Sequence, residues 1–461
     1  MMQLSNTNEK VLIQFDEFIN SDPHLQEPEW LKILRGQALD SFKKEGGFPV
    51  IKNEEWKYTN LQPLTDVYFD LRRSNPSSGP GGGLDHPFDG LRSHELVFLN
   101  GQYHSELSSG LSSVKPGLQQ EAALLNVKTL LQTNPELLRP CLEESEKSID
   151  PLFSLNTAFF TDGAYIYLPS GCVIADPIHL IFLSTQESAP NVSHLKNLII
   201  AEEGSSATIV ESYVDISLLA EKIPSSPVDK QHTYFNNVVT EIRMGDGAHI
   251  EHYKFQNESR SSFHIATLDV TQGRHSQFIS HSLAFGGRLS RNNIQVNFVA
   301  EDSECILNGI YFSDKDQLID HHTTVNHAKP RCRSQEFYKG IIDGNSRSVF
   351  NGKVVVHQDA QGSDAKQENK NLLLSDDATI NTKPQLEIYA DDVKCTHGAT
   401  IGQLDYDSIF YMRSRGIAEN LARNILTRAF VSDIISKIRL IPIREKIANL
   451  ILSSFENKEI L

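Results

Sequence analysis

The chain has 461 residues, enough for two to four domains of ordinary size and for at least one large hydrophobic core. Lys and Arg number 43 against 59 Asp and Glu, and the formal net charge of −16 argues against nucleic acid as the main partner. Apolar runs such as Ile181, Phe182 and Leu183 are far shorter than the ~18 residues needed to cross a bilayer. The composition therefore predicts a soluble protein with no nucleic-acid or membrane partner.

The ends and the cysteines suggest a cellular compartment. The first residues, MMQLSNTNEK, lack the basic start and apolar stretch of a secretory signal, and no arginine-rich transit segment is visible. The five cysteines are odd in number and far apart, and no pair has the CxxC spacing of a zinc site. We therefore expect a cytoplasmic, reducing environment.

The N-terminal region has a helical pattern from Glu9 to Lys44, where apolar residues such as Leu34 and Ala38 recur at spacings of three and four. Gly46 and Gly47 follow as a helix stop. This pattern predicts a small helical domain over residues 1–73.

A change of composition follows that domain. The stretch SNPSSGPGGG, from Ser74 to Gly83, cannot bury apolar surface and predicts a flexible linker over residues 74–90. After it, residues 94–99 read as a strand and residues 124–142 as a helix.

The long central region, residues 91–402, has a mainly β pattern. Short segments that alternate apolar and polar residues are separated by glycine-rich and acidic turns. Strands at this spacing fit a sandwich, a barrel or a β-solenoid; the unbroken length favours a solenoid, although no strict short repeat is found. The predicted strands are 207–213, 249–255, 264–270, 293–299 and 353–357.

The helical pattern returns in residues 403–461, which we predict to be a C-terminal helical domain. A first helix runs from Asp405 to Arg415 and ends at Gly416, a second carries apolar positions from Leu421 to Ile438, and Pro442 opens a third. The apolar residues exceed what one helical hairpin hides, so we expect a partner groove to cover some of them. They are Ile409, Phe410, Ile435, Leu440, Ile443, Leu450, Ile451 and Leu452.

Three common catalytic motifs are absent from the sequence. There is no GxxxxGK[ST] phosphate loop, no GxSxG elbow and no HExxH helix. Nucleotide hydrolysis by this chain and hydrolase chemistry therefore have little support.

The histidines of DHHTTVNH are a candidate metal site. His321, His322 and His327 offer imidazoles, and Asp320 offers a carboxylate. On a strand, however, adjacent residues such as His321 and His322 face opposite sides and do not reach one ion without a bulge. A structural role for these histidines is therefore preferred.

The motif VKCTHGAT is the sharpest local feature. With a period of two, Cys395 and His397 share one face of a strand, where a thiolate and an imidazole can meet a metal ion, while Lys394 points away. Positive charge nearby is expected to lower the thiol pKa and make Cys395 more reactive. Taken alone, this pattern is more often a buried cysteine beside a hydrogen-bonded histidine.

The adjacent residues Asp391 and Asp392 would face opposite sides of any strand. This favours a solvated turn over a pair of carboxylates for acid/base chemistry.

Several longer phrases together resemble the SufB/SufD family of the SUF iron–sulfur cluster assembly machinery. They are EEWKYTNL, LNTAFFTDGAYIYLP, DHHTTVNH, FYKGIIDGNSRSVFNGKVVV, NKNLLLSDDATINTKPQLEIYADDVKCTHGAT and FYMRSRGI. The resemblance runs from about Glu54 to the C-terminal helices and is most specific between Asn369 and Gly416. Because Ser375 to Ala378 contain no cysteine and VKCTHGAT replaces a VEHEAT-like sequence, the chain is similar to the SufD branch rather than to SufB.

The resemblance implies a mainly β fold, a right-handed parallel β-helix core flanked by N- and C-terminal helical domains. It also implies partners: SufB through the core, the ATPase SufC through the C-terminal helices, and a second copy of the chain when SufB is absent. The implied role is a non-catalytic scaffold that transmits ATP-driven movement of SufC. The alternative from another class is a β-helix carbohydrate-active enzyme, which would need clustered carboxylates in a groove.

The same resemblance implies a site. A transient iron–sulfur cluster forms at the interface with SufB, none is held tightly by this chain alone, and His397 is the implied metal and cluster ligand. Cys395 is a secondary candidate in the same motif. A mixed thiolate and imidazole set would hold a cluster less tightly than four thiolates, which suits a site that releases its product.

Overall fold

The structure is a computed structural model that describes residues 11, 13–18, 27–69, 85–109, 121–144, 150–185, 189–219 and 232–456. The stretch from Ser74 to Gly83, predicted as a linker, lies outside these residues. The described helices are α1 (Glu29–Lys44), α2 (Gln62–Thr65), α3 (Val127–Thr133), α4 (Arg139–Glu144), α5 (Pro151–Phe159), α6 (Tyr406–Ser414), α7 (Glu419–Ile435) and α8 (Ile441–Glu456).

The centre of the molecule is a parallel β-solenoid of about seven turns, so the predicted solenoid is confirmed. From β4 onward, successive strands alternate between a ten-stranded and a nine-stranded sheet, and each pairs in parallel with the strand two places along the chain. The strands are β1 (His94–Leu99), β2 (Gln102–Tyr103), β3 (Ala123–Asn126), β4 (Ala164–Leu168), β5 (Ile178–Ser184), β6 (Asn191–Ala201), β7 (Ser206–Asp215), β8 (Tyr234–Met244), β9 (His249–Asn257), β10 (Phe263–Gln272), β11 (Gln277–Ala284), β12 (Leu289–Phe298), β13 (Glu304–Ser313), β14 (Leu318–His327), β15 (Arg333–Ile342), β16 (Arg347–Val356), β17 (Asp364–Leu373), β18 (Thr379–Ile388) and β19 (Lys394–Gln403).

The solenoid repeat is irregular in length. Phe263 of β10 pairs with Leu289 of β12, 26 positions later, whereas Arg347 of β16 pairs with Thr379 of β18, 32 positions later. The variation falls in the turns, because the paired strands remain ten residues long. The strands therefore stack regularly in the structure, although the sequence has no repeat of fixed length.

The space between the two sheets is filled by an apolar core. On three neighbouring strands, Phe98, Phe182 and Tyr213 lie in register, and their rings stack at centroid distances of 4.8 Å and 4.7 Å. Each such buried ring contributes about 1.5 to 3 kcal/mol by removal from water. Inward-facing positions thus repeat along columns that run the length of the solenoid.

Helices cover the outer faces of both sheets. Helices α1 and α5 pack with Trp56 against β8, β10 and β12 of the nine-stranded sheet. Helices α7 and α8 cover the ten-stranded sheet, where Ile435, Ile443 and Ile451 are buried. The expectation that a partner covers the surplus apolar residues is therefore wrong for these positions, because the solenoid of the same chain covers them.

The C-terminal helices follow the predicted boundaries closely. The carboxylate of Asp405 accepts a hydrogen bond from the backbone N–H of Ser408 at 3.0 Å and caps α6. Gly416 has a φ of +84°, a conformation that favours glycine, and ends the helix. None of the described helices combines the length and the apolar character needed to cross a membrane.

Two N-terminal expectations need correction. The helix predicted over residues 124–142 is wrong as a single element: Leu124 lies in β3 paired with Ile166 of β4, and Pro135 separates α3 from α4. The predicted pattern from Glu9 to Lys44 is also not one helix: residues 11 and 13–18 are helical, Glu27 and Pro28 are not, and α1 begins at Glu29. In the last part of the predicted linker, Phe88 is fully buried against the ten-stranded sheet.

Candidate functional site

The solenoid ends in two strand edges. Strand β19 pairs with β17, and β18 pairs with β16; within the described residues neither has a strand on its other side. Each edge is ten residues long and presents unpaired backbone N–H and C=O groups. Edges of this kind can pair with a strand from another chain.

Both residues singled out in VKCTHGAT lie on β19. Cys395 is half-buried and packs against a small apolar cluster that contains Val354 and Leu386, in the last turn between the sheets. His397 is two residues further along the same face and is exposed, because no further turn stacks on it. The structure therefore places an imidazole at the open end of the solenoid and a thiol just inside it.

The thiol of Cys395 is not activated, contrary to the sequence expectation. Burial raises its pKa above the ordinary value, and the carboxylate of Asp364 acts in the same direction. Less thiolate is present at neutral pH than in an exposed cysteine, and thiolate is the form that binds metals. This supports a secondary place for Cys395.

A polar column lies directly behind His397. In the parallel register, His397 is paired with Gln367 of β17, which is in turn one turn away from Glu336 of β15. The Gln367 amide donates to Glu336 Oε2 at 3.2 Å, and the Thr323 hydroxyl donates to the same oxygen at 2.6 Å. Burial raises the pKa of Glu336 to about 7. The three residues lie 30 and 31 positions apart, a relationship that only the strand register reveals.

The residues of DHHTTVNH do not assemble into a metal site. His321 points into the solenoid between Tyr311 and Tyr338, at ring distances of 5.2 Å and 5.5 Å. His322 points outward, 3.1 Å from a carboxylate oxygen of Asp320. His327 lies further along the strand, with Nε2 2.8 Å from the hydroxyl of Ser334. The expectation that His321 and His322 face opposite sides is confirmed.

Asp391 and Asp392 are both exposed in the bend before β19. They lie outside any strand, and the solvated turn preferred from the sequence agrees with this placement.

An exposed aromatic patch marks the C-terminal helices. On α6, Tyr406, Phe410 and Tyr411 are 73%, 64% and 59% exposed, and we call these three residues the α6 patch. Leu421 and Ile425 of α7 are also exposed. Large apolar side chains grouped in this way on a surface are typical of interaction sites.

Comparisons with known proteins identify related sequences along nearly the whole chain. The family model described as "SUF system FeS cluster assembly, SufBD core domain" matches residues 182–430. The model "SufBD protein N-terminal region" matches residues 10–180. Together they include the solenoid, the VKCTHGAT motif and the α6 patch.

Individual relatives are also named as iron–sulfur cluster assembly proteins. An iron–sulfur cluster assembly SufBD family protein of Synechocystis is 34% identical over 85% of this chain and 84% of its own length. The iron–sulfur cluster assembly protein SufD of Escherichia coli is 30% identical over 85% of this chain and 86% of its own. SufD of Bacillus subtilis is 23% identical over 94% of this chain and 95% of its own.

Proposed function

Since this chain belongs to the SufB/SufD family of SUF-system iron–sulfur cluster assembly proteins, we propose that it is the SufD-type scaffold subunit of that machinery. In this role it pairs with SufB, binds the ATPase SufC and offers His397 to a cluster under assembly. The observation that carries the proposal is the exposed imidazole of His397 on the last strand of an open-ended solenoid.

The open end suits a pairing with SufB. A second solenoid that adds its own edge strands to β18 and β19 satisfies the unpaired backbone groups and brings its side chains next to His397. When SufB is absent, a second copy of this chain fits the same edges, which gives the proposed homodimer.

The chemistry of His397 suits a temporary ligand. A neutral imidazole nitrogen binds iron, and a ligand set shared between two chains opens when the chains move apart. Because Cys395 is half-buried and its thiol pKa is raised, a thiolate for the cluster is expected from the partner rather than from this chain. The cluster is thus the cargo of the assembled complex, and the chain alone holds none tightly.

The α6 patch suits SufC. It lies on the C-terminal helices just after the end of β19, so a partner held there is close to the open end of the solenoid. The chain has no phosphate-loop motif of its own. Movement that SufC derives from ATP is therefore transmitted through α6 and α7 into the interface with SufB. A non-catalytic role and a cytoplasmic location are part of this proposal.

The ligand role is tested with the complex purified anaerobically with SufB and SufC. We compare the native chain with His397→Ala and with His357→Ala, a matched variant of another exposed histidine in the solenoid turns. Bound iron and acid-labile sulfide are measured per complex, and size-exclusion chromatography with light scattering reports whether the complex is intact. The expected result is loss of both elements in the His397 variant alone; normal loading in that variant would refute the ligand role.

The SufC contact is tested separately with Phe410→Ser, which removes the central ring of the α6 patch. The matched control is Val173→Ser, because Val173 is 69% exposed on the surface of the solenoid. We expect weaker capture of SufC by the Phe410 variant and unchanged pairing with SufB. Equal capture of SufC by both variants would exclude the α6 patch as its binding site.

The carbohydrate-active alternative requires clustered carboxylates in a groove. Asp391 and Asp392 are exposed in a bend, and they do not form a paired carboxylate site.

A further inference from the structure

A second histidine-containing group lies at the other end of the solenoid, far along the chain from His397. Glu95 of β1 and His179 of β5 are directly paired in the parallel register, so their side chains share one face of the ten-stranded sheet. His86, from the segment that precedes β1, lies over them, with its ring centroid 5.1 Å from that of His179. Each of the three side chains offers one ligand atom, and these atoms lie within 4.8 Å of one another.

The hydrogen bonds orient both imidazoles for an ion. Nδ1 of His86 is 2.7 Å from the carbonyl oxygen and 3.0 Å from the backbone nitrogen of Phe88, and Nε2 of His179 is 2.7 Å from the hydroxyl of Ser212. Histidines that bind metals usually donate their second ring N–H to a carbonyl or similar acceptor in this way. Nε2 of His86 faces the Glu95 carboxylate at 3.2 Å, and Nδ1 is the nitrogen of His179 that does not contact Ser212.

One of these nitrogens is buried and without a partner. His179 is 0% exposed, and its Nδ1 has no hydrogen-bond partner among the described residues. Burial, with the nearby His86 ring, holds the pKa of the His179 imidazole well below its ordinary value. An unpaired buried nitrogen costs free energy unless something binds it.

We propose that His86, Glu95 and His179 bind a divalent first-row transition-metal ion. Two imidazoles and one carboxylate form a ligand set that suits Zn²⁺ and Fe²⁺, and three protein ligands leave positions for water. An ion about 2.1 Å from each atom needs ligand atoms about 3 to 4 Å apart. Nε2 of His86 and the Glu95 carboxylate already lie 3.2 Å apart. The side chains of His86 and Glu95 are 23% and 20% exposed, so they have room to close on the ion and a route for its entry.

This site is independent of the proposed role of His397, and its test keeps the two apart. The full, tag-free chain is treated with chelator and titrated with Zn²⁺ in competition with a chromophoric chelator. The same titration is repeated in His397→Ala, so that the open end of the solenoid contributes nothing. We expect one equivalent of Zn²⁺ in both chains, and a Co²⁺ complex with the visible absorption of a nitrogen and oxygen ligand set.

Variants of the three residues identify the ligands. His86→Ala and Glu95→Gln are expected to lower Zn²⁺ affinity by at least ~10- to 100-fold, the range reached by loss of merely supporting residues. His94→Ala is the control, since His94 neighbours Glu95 on β1 and faces the other side. His179→Gln is examined with circular dichroism as a check on folding, and the two partly exposed residues carry the test if it does not fold. Zn²⁺ binding that is absent, or unchanged in both His86→Ala and Glu95→Gln, would overturn the proposal.

Thermal unfolding provides a second measurement. An ion held by His86, Glu95 and His179 joins the segment before β1 to two strands of the sheet, so Zn²⁺ should raise the melting temperature of the native chain. The same addition should leave the melting temperature of His86→Ala unchanged. Equal shifts in both proteins would mean that Zn²⁺ binds elsewhere.

Discussion

Thr59 donates a hydrogen bond from its hydroxyl to Oδ2 of Asp320 across 2.5 Å, although 261 positions separate the two residues. The same carboxylate oxygen is 2.7 Å from the Arg291 guanidinium, which lies 3.8 Å above the ring of Trp56. Thr59 and Trp56 belong to the EEWKYTNL phrase, and both are buried. Asp320 therefore fastens the N-terminal segment to the outer face of the nine-stranded sheet.

We expect Asp320→Asn to destabilise the protein by about 3 to 5 kcal/mol, because it leaves the Arg291 guanidinium buried without its counter-charge. Burial alone would raise the pKa of Asp320, but Arg291, His322 and Thr59 outweigh it and hold that pKa well below its ordinary value. Urea unfolding at pH 7 measures the loss. Thr59→Val, which removes one hydrogen bond, should cost only about 1 to 3 kcal/mol. A change below about 0.5 kcal/mol in Asp320→Asn would show that the attachment does not contribute to folding.

His321 should make the solenoid sensitive to acid. Burial lowers the pKa of its imidazole from 6.5 to about 3. The unfolded chain thus binds a proton at His321 below about pH 6.5, whereas the folded chain binds it only near pH 3. The free energy of unfolding therefore decreases as the pH is lowered from about 6.5 to about 3. For this one residue the loss is about 2 kcal/mol by pH 5.

The acid effect is measured by urea unfolding of the native chain and His321→Phe at pH 8 and pH 5. Phenylalanine keeps an aromatic ring between Tyr311 and Tyr338 and has no proton to gain. We expect the variant to lose about 2 kcal/mol less than the native chain between the two pH values. Parallel losses in the two proteins would contradict the assignment.

Glu336, behind His397, should have the opposite effect on the pH dependence of stability, because it destabilises the fold as the pH rises. Burial raises its pKa from 4.5 to about 7, so the folded state favours the protonated form. Its contribution to stability is present below about pH 4.5 and is lost as the pH rises to about 7. Glu336→Gln should therefore gain about 3 kcal/mol relative to the native chain between pH 4 and pH 8. A stability difference that does not change with pH would argue against a protonated Glu336.

Two glycines facing tyrosine rings should not tolerate a methyl group. Gly309 is paired with Tyr338 and Tyr311 with Gly340 on adjacent strands, so that each ring lies over a glycine. A Cβ at Gly309 would meet the Tyr338 ring at 2.0 Å, and one at Gly340 would meet the Tyr311 ring at 2.2 Å. Alanine at either position is expected to cost about 1 to 3 kcal/mol. Gly402→Ala is the control, because a Cβ there has nothing within 4 Å; equal melting temperatures in all three variants would refute the argument.

The fold was largely predictable where local signals decide it. Asp405 and Gly416 bound α6 through capping and backbone conformation, and period-two alternation separates His321 from His322. Residues 124–142 were mispredicted because pairing with β4 overrides the helical propensity of Leu124. The group of His86, Glu95 and His179 was not predictable, since only the register between β1 and β5 brings these residues together.

For the candidate site as well, local features were predictable and features that depend on the stacking of turns were not. The sequence places Cys395 and His397 on one strand face, but it does not reveal that β19 is the last strand or that the thiol is half-buried. Both properties depend on how many turns stack and where they stop. The reactivity expected of Cys395 was wrong for this reason, since burial has the largest effect on the thiol and raises its pKa.

The two ends of the solenoid differ in a way that limits how many chains can join. Among the described strands, one end finishes in ten-residue edges, β18 and β19, whereas the other finishes in β2 and β3, which have two and four residues. Edge-to-edge growth needs a long edge at both ends of each unit, as in an open filament. In the pairing proposed above each chain contributes its one long-edged end, so two joined solenoids leave no long edge free for a third.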